Sequence, residues 1–361
     1  MSSIKNDKKV ILVSPLPPPV GGIASWTESY IKYAENNNIK YHLINSAVVG
    51  ERVQTGRISY KDEIIRTKKL HDELKYYSGK EKETVIHYNA SCFTKGLIRD
   101  FFVLVGIRAP IVYQCHCNLD TNINNRLAKF MFGLICKMVD VVCVLNTSSA
   151  ETAKLYHNNV FYVPNFIDKS ILEKKNIKKN IENVCYVGRV EKRKGIQELL
   201  NAAKSLPEIC FNIIGPIEDD SFKNIYIPNV KFWGSVDNKE VFKILNDMDV
   251  YILPSYSEGF PLGVLEAMSC GVPVIASDVG AVKDMIGEGG GLTIKPKSVE
   301  DIISSLNKMS SQEIRRQMST ININKVKNFY TMDAVMKQFL NIYSSCDMKY
   351  IYKEKAYESE K

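Results

Sequence analysis

An α/β protein with two doubly wound domains is what this sequence predicts, and three observations carry the prediction. Apolar runs of strand length alternate with helical segments from about residue 9 onward, the rhythm of repeated β-α-β units. A charged interval without apolar period, KSILEKKNIKKNIEN at about 169–183, interrupts that alternation. The rhythm then restarts and runs nearly to the C-terminus. At 361 residues the chain is long enough for two domains of ordinary size. The expected division is a first domain at 1–168, a linker at 169–183, a second domain at 184–330, a last helix at about 331–346 and a tail at 347–361.

Taken in order, KKVILVS is the first strand, a β-branched run that stops at PLPPPVGG. The three prolines stiffen this loop and leave Gly21 and Gly22 as the points where backbone can approach a ligand closely. IASWTESYIKYAENN reads as a helix closed by asparagines. Strands follow at YHLIN, TVIHYN, PIVYQCH, VVCVLN and VFYVPN. Among the helices between them, RLAKFMFGLICKMV is apolar almost all round and is expected to be well buried. The second half places strands at NVCYVGRV, FNIIG, VKFWG, VYILPS and PVIAS. The last stretch, MKYIYKEKAYESEK, mixes aromatic and basic residues and reads as a frayed tail or a weak membrane-surface contact.

Composition excludes several classes. The chain is 45% hydrophobic and 24% charged, as soluble globular proteins are. It lacks the roughly 18 uninterrupted apolar residues of a membrane span. Its N-terminal apolar run is broken by prolines and lacks a small-residue cleavage site, so it reads as a strand and not a secretory signal. Nine cysteines, mostly inside apolar patterns, point to free thiols in a reducing, cytoplasmic compartment. Cys115, His116 and Cys117 lack the spacing of zinc pairs, so no metal is expected. The net charge of +8 sits in the first half, with 22 Lys+Arg against 15 Asp+Glu over residues 1–169 and 26 against 25 over the rest. The stretch from Arg52 to Lys82 is the most basic. This excess suits anionic phospholipid or a pyrophosphate-linked acceptor, or is a solvated lysine-rich surface. No basic-aromatic motif or helix-turn-helix pattern supports nucleic acid as a partner.

The most informative segment is SEGFPLGVLEAMSCGVPV, framed by Glu258 and Glu266. DVYILPSYSEGF runs apolar and then polar, as a buried parallel strand does at its carboxyl end. Pro261 suits a helix start, Leu262, Leu265 and Met268 continue at helical spacing, and Gly271 with Pro273 stops the helix. A helix beginning at a strand's carboxyl end offers free N–H groups and a positive dipole end to an anion. Glu258 stands at the mouth of that site. Glu266, inside the helix, is a carboxylate among apolar neighbours, where lacking a partner is costly. It suits ligand hydroxyls, those of a ribose above all. Upstream, YVGRVEKRKGIQELLNAA sets Gly188, Arg189 and Lys194 between a strand end and a helix near Ile196. Arginine grips a diphosphate as a fork and lysine as a point charge.

These segments resemble the Glu-x7-Glu and G-R-x4-K-G signatures of the retaining GT-B glycosyltransferases, glycosyltransferase family 4 (glycosyl transferases group 1). The resemblance covers nearly the whole chain, with its specific motifs in 184–280. It implies a GT-B fold, two Rossmann-like domains facing a central cleft, with the last helix crossing back to the first domain. It implies that Glu258 and the backbone at Gly259, Phe260, Leu262 and Gly263 hold the donor sugar and its phosphate, while Glu266 holds the ribose. Arg189 and Lys194 would neutralise the leaving diphosphate, and Gly21 and Gly22 would lie beside the donor phosphates. His116 would face the donor sugar, although Cys117 follows it where many members carry glycine. Gly234 and Val236 would present backbone to the nucleotide base. VPNFID resembles the domain junction VPNGID, with Phe166 in place of glycine.

The function so implied is transfer of a hexosyl group, with retention and without metal or cofactor, from a nucleotide diphosphate sugar to an acceptor hydroxyl. UDP-sugar is favoured as donor, with GDP-mannose as the other choice. The acceptor expected is a glycan or lipid-linked glycan of cell-surface polysaccharide, lipopolysaccharide or O-antigen synthesis. The setting expected is cytoplasmic, with peripheral contact to the anionic inner face of the cell membrane. The alternatives are a GT-B UDP-sugar epimerase and a non-catalytic sugar-nucleotide-binding partner. A dehydrogenase is disfavoured because no G-x-G-x-x-G follows the first strand.

Overall fold

The computed structural model describes residues 8–18, 21–47, 60–80, 83–168 and 176–358, with backbone only for Asn238 and 347–358. The expected linker lies outside the described residues over 169–175, as does the basic stretch over 52–59 and 81–82. The chain divides into two units, Met1–Val163 with Met336–Lys361, and Pro164–Val335.

The first unit holds a six-stranded parallel sheet of β1 (Lys9–Ser14), β2 (Tyr41–Asn45), β3 (Thr84–Ala90), β4 (Ile111–Cys115), β5 (Val141–Val144) and β6 (Val160–Tyr162). Its helices are α1 (Gly22–Asn36), α2 (Tyr60–Lys80), α3 (Thr94–Leu104), α4 (Leu119–Asn122), α5 (Arg126–Met138) and α6 (Thr147–Lys154). The strands lie in the order β2-β1-β3-β4-β5-β6, so the direction of winding reverses between β1 and β3. All seven residues of β3 are buried, as a strand covered on both faces requires.

The second unit holds β7 (Asn183–Val187), β8 (Cys210–Ile214), β9 (Val230–Gly234), β10 (Val250–Leu253), β11 (Val274–Ser277) and β12 (Gly291–Ile294). Its helices are α7 (Ile196–Ser205), α8 (Asn238–Asp247), α9 (Leu262–Ser269), α10 (Val282–Ile286), α11 (Val299–Lys308) and α12 (Gln312–Lys325). The order β12-β11-β10-β7-β8-β9 is again all parallel and reverses between β7 and β10. In such sheets the crevice outside the carboxyl ends, at the reversal, is where ligands bind.

The two halves of that reversal are tied at their amino ends by Asp249. Its carboxylate accepts from the backbone N–H of Glu182 and of Asn183, each at 2.9 Å. The last helix, α13, runs Met332–Glu358, with its first four residues in the second unit and the rest in the first. In the first unit its Tyr343 hydroxyl reaches His87 Nδ1 at 2.5 Å, and the Tyr343 carbonyl accepts from Lys8.

Three expectations change. The helix expected to be buried all round, α5, buries Ala128, Met131, Phe132, Ile135 and Cys136 but leaves Leu127 and Phe130 exposed, at 49% and 62%. Arg126, Lys129 and Lys137 share that outer side, so the helix is one-sided after all. The stretch 347–358, read as a frayed tail, continues α13 as helical backbone, with no glycine or proline to stop it. Strand β12 went unread because GGGLTIKP carries three glycines and only a short β-branched core.

Asp249→Ala removes the acceptor for two backbone donors and is expected to cost about 1–3 kcal/mol in chemical denaturation. A change below about 0.5 kcal/mol would show that the tie does not hold β7 to β10.

Candidate active site

At the reversal in the second unit, β7 ends at Val187 and gives way to Gly188, Arg189 and a tight turn that carries Lys194. Gly195 closes that turn with φ of +71°, and a Cβ there would collide with the Pro254 carbonyl after β10. Only glycine lets the two loops pass this closely. Tyr256 N–H donating to the Arg193 carbonyl at 2.8 Å joins the same loops.

The loop after β10 carries Glu258. Its carboxylate meets Lys194 Nζ at 2.6 Å, with the two side chains 9% and 14% exposed. Two motif residues 64 positions apart therefore form one charge-assisted pair at the strands' carboxyl edge. Arg189 is half-exposed and held by Glu218 at 3.3 Å and Glu191 at 3.6 Å. Arg193, in the turn that carries Lys194, pairs with Glu191 at 2.9 Å.

Helix α9 begins at Leu262, one residue later than the proline start suggested. Pro261 takes the N-cap position, and no side chain caps the helix. Its first turn thus presents unclaimed N–H groups and no acidic side chain. Gly263 in that turn lies against the Tyr251 hydroxyl and the Val187 carbonyl, where a Cβ would not fit. The absence of a side chain lets the helix N-terminus sit directly on the end of β7. Tyr251 Oη points at the Val187 carbonyl at 3.4 Å, and Tyr186 Oη donates to the Arg189 carbonyl at 2.7 Å. Two buried tyrosines form the floor that fixes the Arg189 backbone, and burial raises both phenols. Sequence reading missed them. Their alternation with Val187 and Ile252 at strand ends is the signal they offered, and it reads equally well as ordinary core.

Glu266 lies one turn further along α9, half-buried and without a hydrogen-bond partner among the described residues. Burial raises its carboxyl to about 7. A carboxylate kept at this cost suits a ligand hydroxyl that donates to it. Phe260 turns inward, 8% exposed and 6.0 Å from the Tyr330 ring, so only its backbone can serve a ligand. Gly259 uses its carbonyl to accept from Ala281 at 2.9 Å. Gly234, with φ of +69°, ends β9, and the half-buried Val236 follows it on the same edge of the sheet.

In the first unit, Gly21 and Gly22 stand at the carboxyl edge by the β1–β3 reversal. Gly21 is extended, with φ of −166°, and neither glycine has protein atoms where its Cβ would be. Nothing inside the protein demands glycine there. The space opens on a cavity of about 330 Å³ lined by these glycines together with Asn89, Ser91, Arg66 and Arg99. The two arginines are further residues that sequence reading did not pick out. His116 follows β4, and its Nε2 donates to the Asn89 side-chain oxygen at 2.9 Å, which leaves Nδ1 as an acceptor. Burial, with His87 adding to it, lowers its pKa to about 3. It is a neutral hydrogen-bonding group at working pH.

Comparison with known proteins bears on the family and the fold. The family described as Glycosyl transferases group 1 matches residues 168–326. An uncharacterized 41.2 kDa protein in the cps region of Klebsiella pneumoniae is 30% identical over 302 residues, 74% of this chain and 81% of that protein. The N,N'-diacetylbacillosaminyl-diphospho-undecaprenol alpha-1,3-N-acetylgalactosaminyltransferase of Campylobacter jejuni is 27% identical over 230 residues, 61% of this chain and 58% of that enzyme. Among solved structures, Anabaena HepE in complex with UDP and glucose superposes with a TM-score of 0.68 at 15% identity, covering 94% of this chain and 100% of that one. The fold is GT-B.

The Glu266 carboxyl makes stability depend on pH. Its folded value of about 7 lies above the ordinary 4.5, so ionising it weakens the fold progressively as pH rises from about 4.5 through 7. Glu266→Gln is therefore expected to raise Tm at pH 8 and to leave it unchanged at pH 4.5. Equal Tm values for both proteins at pH 8 would contradict the burial of that charge.

Proposed function

We propose, from the premise that this chain belongs to the glycosyl transferases group 1 family, that it is a retaining hexosyltransferase using a nucleotide diphosphate sugar. The observation that carries the reading is the meeting of Lys194 and Glu258 at 2.6 Å over the β7–β10 reversal, beside the uncapped N-terminus of α9. One cation and the free N–H groups of a helix start lie there, with one carboxylate already committed to that cation. This arrangement suits a ligand with a diphosphate in its middle and hydroxyls on both sides of it.

In this reading, Arg189, Lys194 and the α9 N–H groups hold the diphosphate and take up the charge that grows as the sugar departs. Such charge compensation from the chain itself does not require a metal, and no cofactor is involved. Glu258 accepts from sugar hydroxyls, with Lys194 shared between it and the phosphate. Glu266 accepts from the ribose. His116 Nδ1 offers an acceptor for a sugar hydroxyl. A double displacement needs a carboxylate nucleophile beneath the anomeric carbon. Glu258, bound to Lys194, is poorly disposed for it, so substitution on the same face is favoured, with a donor phosphate oxygen taking the acceptor's proton. The alternative, an epimerase, needs acid and base groups at the sugar, and burial keeps His116 neutral.

UDP-sugar is the favoured donor, supported by the UDP and glucose held in the HepE complex. The acceptor we favour is a lipid-linked glycan of cell-surface polysaccharide synthesis, reached from the cytoplasmic side. The cps region of the Klebsiella relative and the diphospho-undecaprenol acceptor of the Campylobacter enzyme support it. In this reading Gly21 and Gly22, which line an open cavity, serve the donor phosphates.

The test is turnover of UDP-, GDP- and ADP-sugars with membrane lipid extract, in EDTA. Labelled sugar in the lipid fraction from one donor is expected, and binding without release in the presence of extract would favour a non-catalytic protein. Arg189→Ala is expected to lower turnover on the order of 10²-fold. Lys194→Ala should do the same and also lower Tm, because it leaves Glu258 buried without its cation. Near-normal turnover in both would overturn the assignment. Donor affinity of the wild type is expected to fall as pH drops below about 7, where Glu266 takes up its proton, and Glu266→Gln should flatten that profile.

A further inference from the structure

A line of hydrogen bonds runs across the carboxyl edge of the first sheet and ends on His116. Thr27 in α1 donates its hydroxyl proton to the Ile23 carbonyl at 2.8 Å. Thr27 Oγ1 also meets Ser14 Oγ, at the end of β1, at 2.5 Å. Ser14 Oγ lies 2.9 Å from Asn89 Nδ2 in β3, and Asn89 Oδ1 lies 2.9 Å from His116 Nε2 just after β4. Strands β1, β3 and β4 are successive neighbours in the sheet, so the line passes from strand to strand without a gap. Ser14, Thr27 and Asn89 are all buried, which leaves these groups to one another and not to bulk water.

Each hydroxyl owns a single proton, and that gives the line a direction. A carbonyl only accepts, so the Thr27 proton is spent on Ile23. The Ser14 proton must then point at Thr27, because two hydroxyl oxygens this close need a hydrogen between them. Only lone pairs of Ser14 remain for Asn89, which turns its amide nitrogen toward them. The amide oxygen is thereby turned to His116, and an oxygen without a proton can only accept. His116 therefore carries its hydrogen on Nε2. Reversing the Asn89 amide would set its oxygen against the Ser14 lone pairs with no proton between them, a buried repulsion.

The imidazole ring is held as well as its proton. Trp26, beside Thr27 on α1, makes a T-shaped contact with it, with ring centroids 5.6 Å apart and planes at 72°. The His116 backbone N–H donates to the Ala90 carbonyl at 2.9 Å, which fixes the loop that carries it. Asn89 also lines the cavity of about 330 Å³ at Gly21 and Gly22, so the line ends beside open space. His116 is half-buried, and among the described residues its Nδ1 has no hydrogen-bond partner. A ring fixed in plane and tautomer offers one lone pair in one direction.

We infer that Asn89, oriented by Ser14 and Thr27, is a positioning residue that fixes His116 as the Nε2-protonated tautomer, so that Nδ1 selects a ligand hydroxyl over a group that can only accept. That the hydroxyl belongs to a sugar rests on the function proposed above, whereas the tautomer does not. The full chain, carrying isotope-labelled histidine, is read by long-range proton–nitrogen NMR near neutral pH, with the His116 signals identified by their loss in His116→Gln. The wild type is expected to show the proton on Nε2. Thr27→Val keeps the side-chain shape but frees the Ser14 proton to point at Asn89, so the amide turns and the His116 proton is expected on Nδ1. Thr27→Ser restores the hydroxyl and should restore the wild-type signals. Thr27 is hydrogen-bonded to His116 only through Ser14 and Asn89, so a merely structural role would not move that proton. Ser14→Ala gives the same readout by a second route, should Thr27→Val fail to fold. A wild-type proton on Nδ1, or variants that keep the wild-type signals, would overturn the inference. With a donor that the wild type turns over, Thr27→Val is expected to lose about tenfold in kcat/KM and Thr27→Ser to lose little. A proton that moves without that loss would also overturn it, because Nδ1 would then meet no hydroxyl. If the protons behave as expected while the wild type turns over no donor, the transferase reading falls and the tautomer assignment stands.

Discussion

The pairing of β7 with β10 brings Lys194 and Glu258 to 2.6 Å, and the candidate site of the second unit is built around that neighbourhood. Along the chain the two residues belong to separate strand-and-loop segments. They meet because the order of the second sheet reverses at this point, so the loops after β7 and β10 leave the sheet together at its carboxyl edge. Removing both charges from water is costly unless each answers the other. The pair is therefore held in place by the fold itself, and in the proposed reading a diphosphate would meet a lysine already positioned.

Beneath the pair the protein is rigid for stated reasons. Gly263 lets α9 rest on the end of β7, Gly195 lets two loops cross, and the Tyr186 hydroxyl claims the carbonyl of Arg189. These contacts aim N–H groups and cations at one place before any ligand arrives, which is what makes electrostatic stabilisation effective. Glu266 is the opposite case. It lacks a partner among the described residues, burial lifts its carboxyl to about 7, and the fold would be more stable without its charge. Such a residue makes sense through what it binds, and a hydroxyl donor relieves the cost.

Much of this was legible in the sequence. The strands announce themselves as β-branched runs, and the chemistry-bearing residues cluster just past their ends, at Arg189, Lys194, Glu258 and Glu266, because local segments carry whole motifs. The first unit's glycines read as a close-approach loop, and the structure gives them open space with Gly21 in extended backbone. What was not legible depends on which strand lies beside which. Lys194 and Glu258 read as two separate ligand contacts until the sheet order made them partners. Tyr186 and Tyr251 look like core tyrosines until Gly263 is seen to press on one of them. Leu127 and Phe130 look like core as well, since their exposure is set by how α5 is rotated against the sheet, and a helix with apolar residues on every side does not declare that rotation.

The measurement that most directly tests a site built around a diphosphate is calorimetric binding of uridine, UMP and UDP to the same protein. Each added phosphate should tighten binding, with the larger step coming from UMP to UDP as the second phosphate reaches Lys194 and the α9 N-terminus. Equal affinity for the three ligands, or none for UDP, would contradict it.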